Sequence, residues 1–194
     1  MTTAGMLFSE MDPAPEHEAV FDEWYEQTHI PNRLALPGFG AAFRARRSGA
    51  GVRNAVCYLI DDLGVLETEG YRRVKDEPDE LTRAVLAAAI GFTRFTGREI
   101  WTIGTPGPST RSALIGRLRV QPESDTLREW AASTGFAWSS LHGLTAASES
   151  EVAALFIAGS DLEVDALEGA LGTVPMTIAH IGVFEITHWA QSPA

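Results

Sequence analysis

Cysteine occurs once in these 194 residues, as Cys57 inside the apolar run AVCYLI. No intrachain disulfide can form, which suits a reducing compartment and gives the expectation of a cytoplasmic protein. A thiolate in that apolar, mid-strand position is disfavoured, so Cys57 is not a candidate nucleophile. Basic residues are also few: 15 Lys and Arg stand against 26 Asp and Glu, a formal net charge of −11. An acidic surface argues against nucleic acid and anionic membranes as partners, since both are polyanions. No apolar run is long enough to span a bilayer. The opening stretch MTTAGMLFSEMDPAPEHE has no basic n-region and no long apolar segment, so no signal peptide is expected. Low-complexity tracts are missing. So are G-x-S-x-G, H-E-x-x-H and P-loop patterns, and GFGAAFRARR has glycines without the helix that a dinucleotide fingerprint requires.

What is present is 45% hydrophobic and 21% charged, the composition of a globular chain of one large or two small domains. GMLFSEMD reads as a strand ending at Asp12 and Pro13. From Glu16 the pattern turns helical, with Val20, Phe21, Trp24 and Thr28 on one stripe and Glu18, Asp22 and Glu26 opposite. Pro31 is expected to end that helix, because the residue before a proline is pushed out of the α region. Pro37-Gly38 marks a turn. FGAAFRARR alternates, placing Phe39, Ala41, Phe43 and Ala45 on one face and Arg44 and Arg46 on the other. NAVCYLI reads as a buried strand. LGVLETEGYRRV and PDELTRAVLAAAIGFT read as a helical region broken at Pro78, and TGREIWTIGT as a closing strand.

PGPSTR, at 106–111, is the best linker in the chain. The order then recurs. RSALIGRLRV is a strand and PESDTLREWAAS a helix with Leu127, Trp130 and Ala131 inward. FAWSSLHGL and EVAALFIAG are strands, DLEVDALEGAL is a helix that Asp161 can cap, and MTIAHIGVFEITHW is a long last strand. The order βαββαβ therefore appears twice, with DEWYE answering REWAA. The expected fold class is α+β: two fused ferredoxin-like repeats, at 1–105 and 111–190. Each leaves one sheet face bare, and packing the two antiparallel sheets together would bury both. One chain would then imitate a dimer as a pseudo-dimeric α/β barrel. The alternative is two separate lobes, each dimerising with another molecule. The copies differ at one place, since THIPNRLALPG has no counterpart in the second.

FDEWYEQTHIPNRLALPGFGAAFRARR resembles the dimeric α/β-barrel superfamily, in particular EthD-like proteins. Their motif is a helix ending in Trp, then His-Ile-Pro, then a Leu-Pro-Gly-Phe turn into the second strand. Trp24, His29, Pro31, Pro37 and Gly38 take the motif positions over residues 21–47, and the rest agrees in element order. The superfamily includes cofactor-free monooxygenases, polyketide cyclases, lactone isomerases and haem proteins of the chlorite-dismutase type. The resemblance therefore implies a small enzyme with no cofactor, acting on an apolar or aromatic small molecule by isomerase, cyclase or lyase chemistry. A non-catalytic small-molecule-binding or assembly module on the same fold is the alternative. A cofactor-free monooxygenase or a haem protein is a further one. A homodimer remains open.

Candidate residues cluster in the unmatched segment. His29 shares a helical face with Tyr25 and Asp22, and more loosely with Glu26. A nearby carboxylate would favour the imidazolium and orient it for acid/base work, with Tyr25 as partner. Equally, a histidine in a last helical turn can simply bond orphan carbonyls. Trp24 shares the core stripe and needs a partner for its N–H, and it is also a candidate substrate-binding residue. Asn32 and Arg33 follow, and Arg33 can hold a carboxylate or phenolate by bidentate bonds or pair with a surface acid. His142 alternates with Phe136, Trp138 and Leu144, and His180 with Met176, Ile178 and Phe184. Each is a core histidine with one hydrogen bond, or part of a pair lining a cavity between sheet and helices, or one axial haem ligand. Glu26 and His29 have a ligand-like i, i+3 spacing, but no second pair completes it, so no metal is expected.

Overall fold

The eight apolar runs all become strands. A computed structural model describes residues 4–119, 125–147, 153–161, 164, 167 and 178–193. The first half contains β1 (Gly5–Asp12), β2 (Phe39–Arg47), β3 (Asn54–Ile60) and β4 (Ile90–Gly104). The second contains β5 (Ser112–Leu118), β6 (Trp138–Ala147), β7 (Ala154–Ser160) and β8 (Ile178–Gln191). Between β1 and β2 run α1 (Glu18–Trp24), a π-helical turn (Tyr25–His29) and α2 (Ile30–Leu34). A 3₁₀ turn (Leu63–Glu67), α3 (Glu69–Asp76) and α4 (Glu80–Ala87) precede β4, and α5 (Asp125–Ser133) precedes β6. The helix read in DLEVDALEGAL lies largely outside the described residues.

The strands form one closed antiparallel barrel in the order β1-β3-β2-β8-β5-β7-β6-β4. Both halves follow the same internal order, fourth, first, third, second. They join along two seams: β2 with β8, from Ala41↔Gln191 to Arg47↔Phe184, and β4 with β6, from Phe95↔Ala147 to Gly104↔Trp138. The seams overturn the alternative of two separate lobes, because every strand edge of one half is hydrogen-bonded to the other.

Strand alternation sorts the side chains into three cores. Met6, Phe8, Phe43, Phe95, Trp138 and Phe184 fill the barrel interior. Leu7, Met11 and Tyr58 face outward from the first half and meet Phe21, Trp24 and Ile30 of the helices. Leu114, Leu141 and Phe156 do the same in the second half against Leu127 and Ala131 of α5. α1 and α2 are too short to hold themselves in water. Burying Phe21, Trp24, Ile30 and Leu34, at about 1.5–3 kcal/mol each, fixes them to the sheet. Val20, read as part of the apolar stripe, is exposed. The buried stripe is instead shifted by one residue.

Two further expectations are corrected. Phe39 does not share a face with Phe43: it packs among the helices while Phe43 points into the barrel. The β2–β3 register slips between Phe39 and Ala41, and such a bulge reverses the alternation on either side of it. β4 begins at Ile90, inside the run taken as helical. α4 ends at Ala87, Gly91 turns the chain at φ +64°, and residues from Ile90 onward pair with β1.

The barrel interior also holds charge. Glu10, 1% exposed, has its Oε1 3.2 Å from Nη2 of Arg47, and its Oε2 meets Arg117. The two guanidiniums lie over Phe184 and Phe95, at 4.7 and 5.1 Å from the ring centres. Gly182 makes room for Arg47, since a Cβ there would come 2.5 Å from its Nη1.

A candidate active site under the first helix

The helix between β1 and β2 does not stop at Pro31. It runs to Leu34, and His29 sits in its middle. Proline in a regular helix lacks the N–H and presses its ring on the carbonyl four residues earlier. Here the turn Tyr25–His29 is widened to π geometry, with the Ile30 N–H donating to the Tyr25 carbonyl. Such single-turn bulges absorb one extra residue and loosen the ladder where the proline enters. Pro31 then occupies the first turn of α2, where no N–H is needed. His29 is therefore not a terminal residue bonding orphan carbonyls.

His29 is 7% exposed, and its Nδ1 is buried without a hydrogen-bond partner. Its ring centre is 4.5 Å from that of Trp24 and 5.2 Å from that of Tyr25, the latter edge-on at 78°. Among the described residues no carboxylate pairs with His29. Asp22 Oδ1 accepts from Arg44 Nη2 at 2.7 Å, and Glu26 Oε1 accepts from Arg44 Nη1 at 3.0 Å. Arg44 lies under the helix with its guanidinium 4.8 Å from the Tyr25 ring centre and holds both acids, Asp22 being shared with Arg46. Burial, and then the charge of Arg33, hold the imidazole well below its ordinary pKa. His29 is a neutral imidazole.

His29 and Arg33, one helical turn apart, stand at the boundary of two cavities. The first measures about 220 Å³. Its floor is the outer face of the sheet, through Leu7, Ser9 and Met11 of β1 and Tyr58 of β3. Its walls include Tyr71, Val74 and Lys75 of α3, Leu86 of α4, and Phe92 and Arg94 of β4. The second, of about 340 Å³, is lined by Asn32, Arg73, Glu77, Asp79 and Thr82 with His29 and Arg33. Tyr58 projects into the first with a hydroxyl that is buried and unpartnered. Burial raises its pKa above the ordinary tyrosine value, against a smaller opposing effect of Arg33. Tyr58 therefore stays a protonated phenol. Arg94 donates to the Tyr71 hydroxyl at 3.2 Å.

The residues expected at the site divide clearly. His29, Arg33 and Asn32 line cavities, although Asn32 is exposed and reaches only the second. Trp24, a candidate for substrate contact, lines neither cavity: it packs in the core, and its Nε1 donates to Thr82 Oγ1 at 2.9 Å. Tyr25 is buried, shares a hydrogen bond with Ser9, and lines neither cavity; burial raises its pKa above the ordinary range. The surface-acid partner considered for Arg33 is missing among the described residues. His142 is not near His29. It points into the barrel, opposite Leu155, with Nε2 3.1 Å from Ser140 Oγ and Nδ1 unpartnered. Burial lowers its pKa to about 4. His180 pairs through its backbone with Arg117, and its side chain lies outside the described residues. Among the described residues no three His, Cys, Asp or Glu side chains converge on one point.

Four contributors escaped the sequence: Ser9, Tyr58, Tyr71 and Arg94. Ser9 and Tyr58 had a usable signal, because each is a polar-tipped residue on the helix-facing side of an otherwise apolar strand. Tyr71 and Arg94 had none, since their meeting depends on how α3 crosses β4.

No protein-family model matches the sequence, and no curated protein does. Solved structures do. An anthrone oxidase-like protein aligns over 100% of this chain and 95% of its own, at 13% identity and a TM-score of 0.64. A candidate monooxygenase of Fusobacterium nucleatum aligns over 98% and 95%, at 10% identity and a TM-score of 0.66. A haem-binding protein of Thermus thermophilus aligns over 97% and 92%, at 12% identity and a TM-score of 0.57. Identities this low carry the architecture and nothing finer. With its eight antiparallel strands closed into one ring and helices outside, the chain has the fold of the dimeric α/β-barrel proteins.

Proposed function

We propose that this protein is a cofactor-independent enzyme that performs acid/base chemistry on a small apolar or aromatic molecule, of the isomerase, cyclase or lyase type. One observation carries the reading. The His29 Nδ1 and the Tyr58 hydroxyl, both buried and both unpartnered, belong to residues that line one cavity with Arg33. Buried polar groups without partners are rare in folded proteins and are costly unless something else satisfies them. A bound molecule with polar atoms would do so. Neutral His29 accepts a proton from the substrate, holds it as imidazolium, and returns it at another atom. Arg33 anchors a substrate oxygen meanwhile. Trp24 and Tyr25 hold the imidazole from two sides, and Asn32 contacts what enters through the second cavity.

In this reading the chain is a fusion of two ferredoxin-like repeats, at 1–105 and 111–190, and the likeness to EthD-like proteins is confined to residues 21–47. The repeated strand order supports the fusion. The working site belongs to the first repeat, and His142 takes no part in it.

A second reading is oxygenation without a cofactor, favoured by the names of two structural neighbours. The substrate would lose a proton to His29 and supply the electrons to dioxygen, one oxygen atom entering the product and the other leaving as water. A haem does not suit the cavity: about 220 Å³ is already below the roughly 300–1,000 Å³ that drug-sized ligands fill, and a haem is larger than those, whereas a one-ring molecule is smaller. A purely binding or assembly role would leave His29 without a chemical task.

The test is turnover by wild type, His29→Ala and Tyr58→Phe against a panel of aromatic ketones, phenols, lactones and their carboxylated analogues, with oxygen uptake followed in parallel. Loss of turnover in His29→Ala, with the fold intact by circular dichroism, is the expected result. Unchanged turnover in that variant ends the acid/base reading. Oxygen uptake matched to product selects the oxygenase.

A further inference from the structure

We infer that the ligand of the first cavity carries a carboxylate on a small apolar body, and that Arg33 binds it. The inference rests on the proposed small-molecule site and adds the charge of what it takes.

Three arginines of the described chain are buried to within 9% exposure: Arg33, Arg44 and Arg47. Arg44 holds Asp22 and Glu26, and Arg47 holds Glu10. Arg33, 8% exposed, has no carboxylate within ion-pair distance among the described residues. A chain with 26 acidic and 15 basic residues has no shortage of partners to offer. An arginine cannot shed its charge to escape burial, as a lysine or histidine can, so this guanidinium stays cationic and open to an anion from outside the chain.

The lining says where. The first cavity carries Arg33, Lys75 and Arg94, and neither Asp nor Glu is among its lining residues. Lys75 already has Asp76 at 3.2 Å, and Arg94 donates to Tyr71. Arg33 is the guanidinium left over, and its planar fork matches a carboxylate by two parallel hydrogen bonds. Leu7, Met11, Val74, Leu86 and Phe92 supply an apolar surround for the rest of the ligand. The volume of about 220 Å³ limits that rest to one ring or two fused rings. The second cavity is a poorer host for an anion, because Glu77 and Asp79 line it.

Isosteric pairs test the inference without any variant: benzoate against benzamide, and 2-naphthoate against 2-naphthamide, each titrated into the protein by calorimetry. The carboxylate of at least one pair is expected to bind ten times or more tighter than its amide. Arg33→Gln is expected to bring the carboxylate down to the level of the amide, and Arg33→Lys to restore part of the preference. Arg73→Gln, on the second cavity, is expected to leave it unchanged. Equal binding of acid and amide by the wild type overturns the carboxylate inference and leaves the small-molecule site standing. Binding of none of the four overturns the site and the inference together. A preference that survives Arg33→Gln in a folded variant assigns the anion to another group and refutes the role of Arg33.

Discussion

The Trp24 indole lies with its ring centre 4.5 Å from that of the His29 imidazole, while its N–H is bonded to Thr82 on another helix. Thr82 is in turn held by Asp79, which accepts its hydroxyl at 2.6 Å and its backbone N–H at 2.9 Å. The cap of α4 thus sets the position of the ring that supports His29. Thr82→Val keeps the backbone bond of the cap but strands a buried indole N–H, at about 1–3 kcal/mol. A fall of several degrees in Tm is expected by calorimetry, with Thr82→Ser close to wild type. An unchanged Tm in the valine variant would show that the indole bond contributes nothing.

His29 is expected to stay neutral through the range where exposed histidines gain their proton, near 6.5. Nitrogen-detected NMR of the five histidines reads this directly. Arg33→Gln removes the smaller of the two causes, so the titration should move upward and still fall short of the ordinary value. An ordinary titration in wild type would refute the buried, neutral imidazole.

Acid should weaken the fold well above the carboxylate range. His142, at about 4, and His29 both have folded pKa values below the unfolded 6.5. Between those values the unfolded chain binds more protons, so stability rises with pH and is lost as pH falls from 6.5 towards 4. Each group contributes a slope of up to about 1.4 kcal/mol per pH unit. Urea midpoints from pH 7 to pH 4 should decline, and His142→Gln should flatten the decline. A flat wild-type profile across that window contradicts the assignment.

Glu10→Gln strips the charge from between two guanidiniums in the barrel interior. Breaking a buried ion pair from one side costs about 3–5 kcal/mol. The denaturation midpoint should drop accordingly. Glu10→Asp, which keeps the charge and shortens the reach, should cost less. A change under about 1 kcal/mol in the glutamine variant would mean that solvent already screens the group.

Much of the strand architecture was legible because apolar runs bounded by turn residues have few other uses. β1, β2 and β3 fall where GMLFSEMD, FGAAFRARR and NAVCYLI place them. What escaped depends on one-residue insertions. Pro31 signals a helix end only if the preceding turn is regular, and the π turn at Tyr25–His29 makes it irregular at little local cost. The slip at Gly40 likewise moves Phe39 across the sheet without changing the composition of the strand. His29 and Arg33 were visible as chemistry-bearing residues of the unmatched segment. Their neutral and unpaired states were not, because Arg44, which takes the two acids, comes from β2 across the sheet.

The seam between β2 and β8 joins Ala41 to Gln191, 150 residues further along the chain. A growing polypeptide can assemble β4-β1-β3-β2 early, yet both outer edges of that sheet wait for strands made much later. Until then they present open ladders of the kind that recruit other chains. Contacts this distant in sequence also slow folding, since loop closure must be completed before pairing rewards it. The order of synthesis therefore makes the half-finished sheet the stage at which aggregation threatens most, and places closure of the barrel at β8, the last of its eight strands to be made.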